Sequence, residues 1–154
     1  MNRSGLNREP HLLYRDRSEQ LRKICRDFRV AILYAFGSRA KEARMWLEGR
    51  VERLDPGPSD LDIGVKPSPG VHLTVYDKVQ LAIALEDFFG VGRVDLVLLP
   101  EAKPFLAANI IRGERLYAED EHTADEYDLY VLRRAGDLAP LERERIELIL
   151  GRKA

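Results

Sequence analysis

Apolar and polar residues alternate along this chain in blocks whose periods switch between those of helix and strand. Leu21, Ile24, Cys25 and Phe28 recur at helical spacing, which predicts a helix from a Ser18 cap to about Asp27 with one apolar face. Residues 1–15 before it read as a loose arm. Val30–Phe36 is an unbroken apolar run ended by Gly37, the pattern of a strand buried on both faces. A breaker-free stretch from Arg39 to about Leu47 predicts a helix starting just after Gly37-Ser38. Asp55-Pro-Gly-Pro-Ser59 then forces a turn. Leu61–Val65 is the next strand, and residues 76–89 read as a helix capped by Thr74 and stopped by Gly90. Val94–Leu99 is a third apolar strand. A short helix over Pro104–Arg112 stops at Gly113, Glu114–Ala118 reads as an edge strand, and Asp120–Asp125 as a polar loop. Two helices, about 127–134 and 140–152, close the chain. Strands alternating with helices predict an α/β (α+β) fold: a small mixed sheet flanked by helices, with C-terminal helices over about 126–154. Residues 16–154 are read as one domain.

Composition narrows the function classes. The 154 residues carry 25 Lys plus Arg against 26 Asp plus Glu, a net charge of −1. No basic excess exists to drive tight nucleic-acid binding. The longest apolar run is too short to span a bilayer, and the polar N-terminus lacks the apolar stretch of a signal peptide, so a cytoplasmic protein without membrane attachment is expected. Cys25 is the single cysteine and, at helical spacing with apolar neighbours, reads as core. One Cys and three scattered His make a Cys/His zinc site improbable. Any metal here takes carboxylates, which favours Mg²⁺ or Mn²⁺.

The chemistry gathers at three places. Gly37-Ser38 joins a buried strand to a helix start: glycine permits close approach to the backbone, and the free N–H groups with the Ser38 hydroxyl suit phosphate oxygens. Alone, the dipeptide equally marks a plain turn. In Ser59-Asp60-Leu61-Asp62-Ile63, the strand period puts Asp60 and Asp62 on one face and Leu61 and Ile63 on the other. Two adjacent carboxylates repel unless a cation lies between them; an isolated pair is otherwise two solvated charges. Asp95, inside the apolar Val94–Leu99 run, is expensive to bury unless it is paired, metal-bound or on an edge, with Arg93 an available partner.

Taken together, a strand, Gly37-Ser38, a helix, Ser59-Asp60-Leu61-Asp62 on the next strand and an apolar strand bearing Asp95 resemble the DNA polymerase beta-like nucleotidyltransferases. The resemblance is strongest to the minimal nucleotidyltransferases that act as antitoxins beside HEPN-domain toxins. It covers Val30 to Leu99 and, loosely, the chain through Tyr117. It implies that Gly37 and Ser38 hold nucleotide phosphates, and that Asp60 and Asp62 bind two divalent ions. Asp95 would be the third carboxylate, bridging one ion and favouring deprotonation of the acceptor hydroxyl. Arg39, Lys41 and Arg44 follow Ser38 and would steady the leaving pyrophosphate, or else form a solvated basic helix face.

The 21 residues from 39 to 59 between Ser38 and Asp60 are more than the family places there. About 45–57 therefore reads as an insertion beside the phosphate site, and Glu42 stands where relatives often carry Gly. The implied activity is transfer of a nucleoside monophosphate, AMP from ATP, to a hydroxyl of a HEPN-type partner. Two other readings stay open: a binding-only antitoxin or scaffold, and a nucleotidyltransferase acting on a small hydroxylated molecule such as an aminoglycoside. The apolar residues of the last helices, Tyr127, Leu129, Tyr130, Leu132, Leu138, Leu141, Ile146, Ile149 and Leu150, read as core with a surplus that would serve a partner or a homo-oligomer.

Overall fold

The structure, a computed structural model, describes residues 9–57 and 59–149, with residues 138–149 as backbone only. The arm segment 1–8 and residues 150–154 lie outside the described residues, as do the side chains of Leu138, Leu141, Ile146 and Ile149. In chain order the elements are α1 (Pro10–Asp27), β1 (Val30–Phe36), α2 (Ala40–Leu47), β2 (Leu61–Pro67), α3 (Val75–Phe89), β3 (Val94–Leu98), α4 (Pro104–Ile111), β4 (Glu114–Ala118) and α5 (Glu121–Ile149). The four strands form one mixed sheet in the order β3-β2-β1-β4. β1 runs antiparallel to both β2 and β4, whereas β2 and β3 are parallel. The expected small mixed sheet flanked by helices is the observed architecture.

Alternation along β1 and β2 divides the interior into two clusters. Leu33 and Ala35 of β1 and Leu61, Ile63 and Val65 of β2 face the side covered by α1, α2 and α3. Ile32, Tyr34 and Phe36 face the side covered by α4 and α5. β1, buried along nearly its whole length, is the spine between them. Cys25 is fully buried in the first cluster, as its spacing predicts, and burial pushes its thiol pKa up. The Thr74 cap is also present: Asp77 N–H donates to the Thr74 hydroxyl and Thr74 N–H to the Asp77 carboxylate. Gly90 ends α3 at φ 69°, a left-handed conformation that glycine takes without cost.

Two boundaries differ from the sequence reading. α1 starts at Pro10, not at Ser18, so residues 10–15 are helical. Proline is well suited to the first helical turn, and tertiary contacts hold this turn down: a Cβ on Gly49 would lie 2.4 Å from the Pro10 carbonyl oxygen. The two expected C-terminal helices are one, α5, which runs from Glu121 through Gly136 and Pro140 to Ile149. It also absorbs most of the expected polar loop, because Asp120 accepts from His122 N–H and the Thr123 hydroxyl at the helix start.

Gly64 lets α4 lie on the sheet. A Cβ there would stand 2.4 Å from Ile110 Cγ2, too close for any side chain. Gly64→Ala is expected to cost about 1–3 kcal/mol by overpacking, read as a lowered midpoint in urea unfolding. Trimming the opposing branch in a Gly64→Ala/Ile110→Ala double variant should cost less than the two single losses added together.

Candidate active site

The β1–β2 pairing sets the site. Phe36, the last residue of β1, stands opposite Asp62 in the antiparallel register, and Asp62 stands opposite Asp95 in the parallel pairing of β2 with β3. Gly37 then turns the chain at φ 74°, and a Cβ on it would lie 2.5 Å from Asp62 Oδ2. Only glycine brings a backbone this near a carboxylate while holding that φ. A single turn of 3-10 helix over Gly37–Arg39 leads into α2, with Ser38 exposed at the corner.

The carboxylates share one neighbourhood. Asp62 is half-buried, and its pKa is raised above the ordinary carboxylate value by burial first and then by repulsion from Asp95 and Asp60. Asp95 is exposed on the edge strand β3. Arg93 reaches Asp60, at 3.6 Å, rather than Asp95. Oxygen-rich and carrying mutual repulsion that a cation would relieve, the set fits a hard divalent ion. Asp62 and Asp95 would be its ligands from the paired strands, and Asp60 from the entry to β2. Among the described residues, no three His, Cys, Asp or Glu side chains already surround one metal position, and Asp60 is engaged with Arg93.

Beside Gly37 opens a cleft of about 490 Å³ lined by Gly37, Ser38, Lys41, Asn109, Arg112 and Glu114, among others. Lys41 is among its lining residues. Asn109 and Arg112, at the end of α4, were not singled out from sequence. They come to the cleft because a Cβ on Gly113 would lie 2.3 Å from the Ala35 carbonyl oxygen, so the α4–β4 turn sits directly on the end of β1. A polar residue just before a helix-ending glycine was the one local signal for them.

Arg39 and Arg44 are placed elsewhere. Arg39 is the buried charged residue of the described chain. Its guanidinium pairs with Glu42 at 3.2 Å and donates to the carbonyl oxygens of Ser59, at 3.0 Å, and Asp55. Glu42 also accepts from Asp55 N–H. Arg44 pairs with Glu48 and Glu114. The stretch expected as an insertion is thus part helix, ending with α2 at Leu47, and part loop clamped at both ends. Arg39 holds its Asp55–Ser59 end. Arg17 of α1 donates to the carbonyl oxygens of Trp46, Val51 and Glu52 at the other, stacked 4.2 Å from the Trp46 ring.

The comparisons with known proteins place the chain in a family. The model of the family described as polymerase beta, nucleotidyltransferase, matches residues 19–122. The chain belongs to that nucleotidyltransferase family. Among solved structures, a mutant of the toxin–antitoxin MntA–HpeT aligns with a TM-score of 0.65 at 18% identity, over 86% of this chain and 98% of that one. A toxin–antitoxin with AMP-PNP aligns with a TM-score of 0.65 at 19% identity, over 86% and 98%. The complex of tri-AMPylated Shewanella oneidensis HEPN toxin with MNT antitoxin aligns with a TM-score of 0.62 at 18% identity, over 89% and 98%. At these identities the likeness establishes the nucleotidyltransferase fold. No curated protein matches the chain. Among the described residues, no helix is long and apolar enough to cross a membrane.

Two outcomes follow for this candidate site. Gly37→Ala should strain the turn by about 1–2 kcal/mol and turn the Asp62 carboxylate aside, so nucleotide affinity measured by calorimetry should fall more than stability does. The second concerns the latch. Arg39 holds the Glu42 carboxyl below its ordinary value, with the Asp55 N–H adding to this. A carboxylate depressed in the folded state stabilises above its unfolded pKa and ceases to as pH falls through the folded one. The stability advantage of the wild type over Glu42→Gln should therefore be present at about pH 6 and shrink towards about pH 3, followed by urea unfolding.

Proposed function

We propose that this nucleotidyltransferase moves AMP from ATP to a hydroxyl of a partner protein of the HEPN type and so acts as its antitoxin. The observation that carries the reading is the approach of the Gly37 backbone to Asp62, with Asp95 opposite Asp62 and Asp60 two residues before it. This brings the glycine turn against a cluster of mutually repelling carboxylates. In the reaction an acceptor oxygen bonds to the α-phosphorus as the bond from that phosphorus to the β-phosphate bridging oxygen breaks, releasing pyrophosphate.

Gly37 and Ser38 would hold phosphate oxygens through backbone N–H groups and the Ser38 hydroxyl. Lys41 and Arg112 face the cleft with charge for the leaving pyrophosphate, and Asn109 offers amide hydrogen bonds to the sugar or base. Asp60, Asp62 and Asp95 would hold Mg²⁺ or Mn²⁺, two ions in all, which neutralise the triphosphate and acidify the attacking hydroxyl. Asp95, exposed on the edge strand, would favour deprotonation of the acceptor hydroxyl of an incoming protein. Arg39 has no part in phosphate binding in this reading and serves the loop before Asp60.

A protein acceptor is favoured because Asp95 is exposed on the edge strand β3, opposite Asp62 of β2, within reach of a tyrosine or serine on another surface. The experiment incubates the chain with ATP, Mg²⁺ and a HEPN-type partner, and weighs both proteins by intact-mass spectrometry. One or more adenylates on the partner, absent with Asp60→Ala or Asp62→Ala, is the expected result, with the rate reduced at least about 100-fold. Neutralisation by those variants without any adenylate would establish the binding-only antitoxin instead. Adenylate found only on an added aminoglycoside would establish the small-molecule transferase.

A further inference from the structure

The face of β2 that presents Asp62 also presents Gly64 and Lys66, by the two-residue period of a strand. α4 lies over Gly64, so Lys66 emerges at the other end of the sheet. There it borders a separate cavity of about 300 Å³, lined by Lys66, Ala107, Tyr127, Tyr130, Val131 and Arg134 among others, with no acidic residue in the lining. Its floor is apolar, from α4 and α5, and the Tyr127 and Tyr130 rings stand 6.1 Å apart on one wall. Lys66 Nζ lies 5.6 Å from the Tyr127 ring and the Arg134 guanidinium 5.7 Å from the Tyr130 ring.

The cations of this cavity differ from others on the chain. Arg39, Arg44, Lys78 and Arg115 each pair with a carboxylate. Among the described residues Lys66 has none: its ammonium donates to its neighbour's carbonyl, that of Pro67, and burial lowers its pKa. Arg134 likewise has an aromatic ring but no carboxylate among the described residues. A partly desolvated cation with no counter-ion among the described residues, at the mouth of an apolar cavity of ligand size, is complementary to an anion carrying an apolar body.

We propose that this cavity is a second ligand site, for a small aryl or alkyl carboxylate, with the carboxylate between Lys66 and Arg134 and the apolar body against Ala107, Val131 and the two tyrosines. It is separate from the nucleotide cleft, and the apolar floor disfavours a bare inorganic anion.

The probe is 3-phenylpropionate, with its amide as the neutral counterpart, read on the full-length chain by saturation-transfer and amide chemical-shift NMR. A fragment of this size should bind with a Kd on the order of 1 mM. The shifts should centre on residues 66, 99–107 and 127–134, and the amide should bind about tenfold more weakly. Lys66→Met should weaken the carboxylate about tenfold while keeping the wild-type melting temperature or raising it, since it removes a partly desolvated cation that has no carboxylate partner among the described residues. Should that variant not fold, Arg134→Gln carries the same expectation from the exposed rim. Equal binding of acid and amide, shifts centred on Gly37–Lys41, or no saturation transfer at about ten times that concentration would overturn the proposal. None of these readouts depends on nucleotide transfer.

Discussion

The contact on which the rest of this molecule turns is a glycine backbone held against a carboxylate. β1 pairs with β2 so that Phe36 faces Asp62, and the next residue leaves the sheet in the one conformation that clears the Asp62 oxygen. Any Cβ at Gly37 would meet that oxygen. A charged group whose ionised form is already penalised by burial and by two like neighbours is thereby set beside the backbone of a helix start. Such a carboxylate cluster is poorly satisfied by itself, and the surrounding helices supply the stability that tolerates it.

A second constraint is the pair of arginine clamps on the 48–59 segment. Arg17 ties the segment to α1, and Arg39 ties it to α2 and to the backbone just before Asp60. Buried guanidinium groups are kept only when their donors are met, and carbonyls of an irregular loop meet them here. The extra length between Ser38 and Asp60 thus becomes a brace for the strand that carries the carboxylates. Glu42 completes it by pairing with Arg39 and accepting from Asp55 N–H.

The two faces of the sheet do different work. Toward α1, α2 and α3 the side chains of β2 are Leu61, Ile63 and Val65, which are pure packing. Toward α4 and α5 they are Asp62, Gly64 and Lys66: a carboxylate, a gap and a cation. Tyr34 on the neighbouring strand keeps its hydroxyl satisfied by donating to Asp128 of α5, whose other oxygen meets Arg115. Burial raises the pKa of both Tyr34 and Asp128. Polar chemistry is therefore concentrated on one face and is separated into two ends by the helix that Gly64 admits.

Much of this was legible in the residues themselves. Apolar runs bounded by glycine and proline marked the strands; Thr74 and Gly90 marked the ends of a helix by local chemistry; and Ser-Asp-x-Asp put two carboxylates on one face through the strand period alone. These are short-range effects, determined within a few residues. Where α1 begins was not, because its first turn rests on Gly49 across the fold. The continuity of α5 through Gly136 and Pro140 was equally hidden, since both residues read locally as breaks. The destination of Arg39 was the clearest case. Its position after Ser38 suggested phosphate binding, but only the folded chain brings the Asp55 and Ser59 carbonyls to it. Asn109 and Arg112 joined the cleft, and Lys66 came to border an apolar cavity, for the same reason: side-chain partners distant in sequence are chosen by packing, and packing is a property of the whole chain.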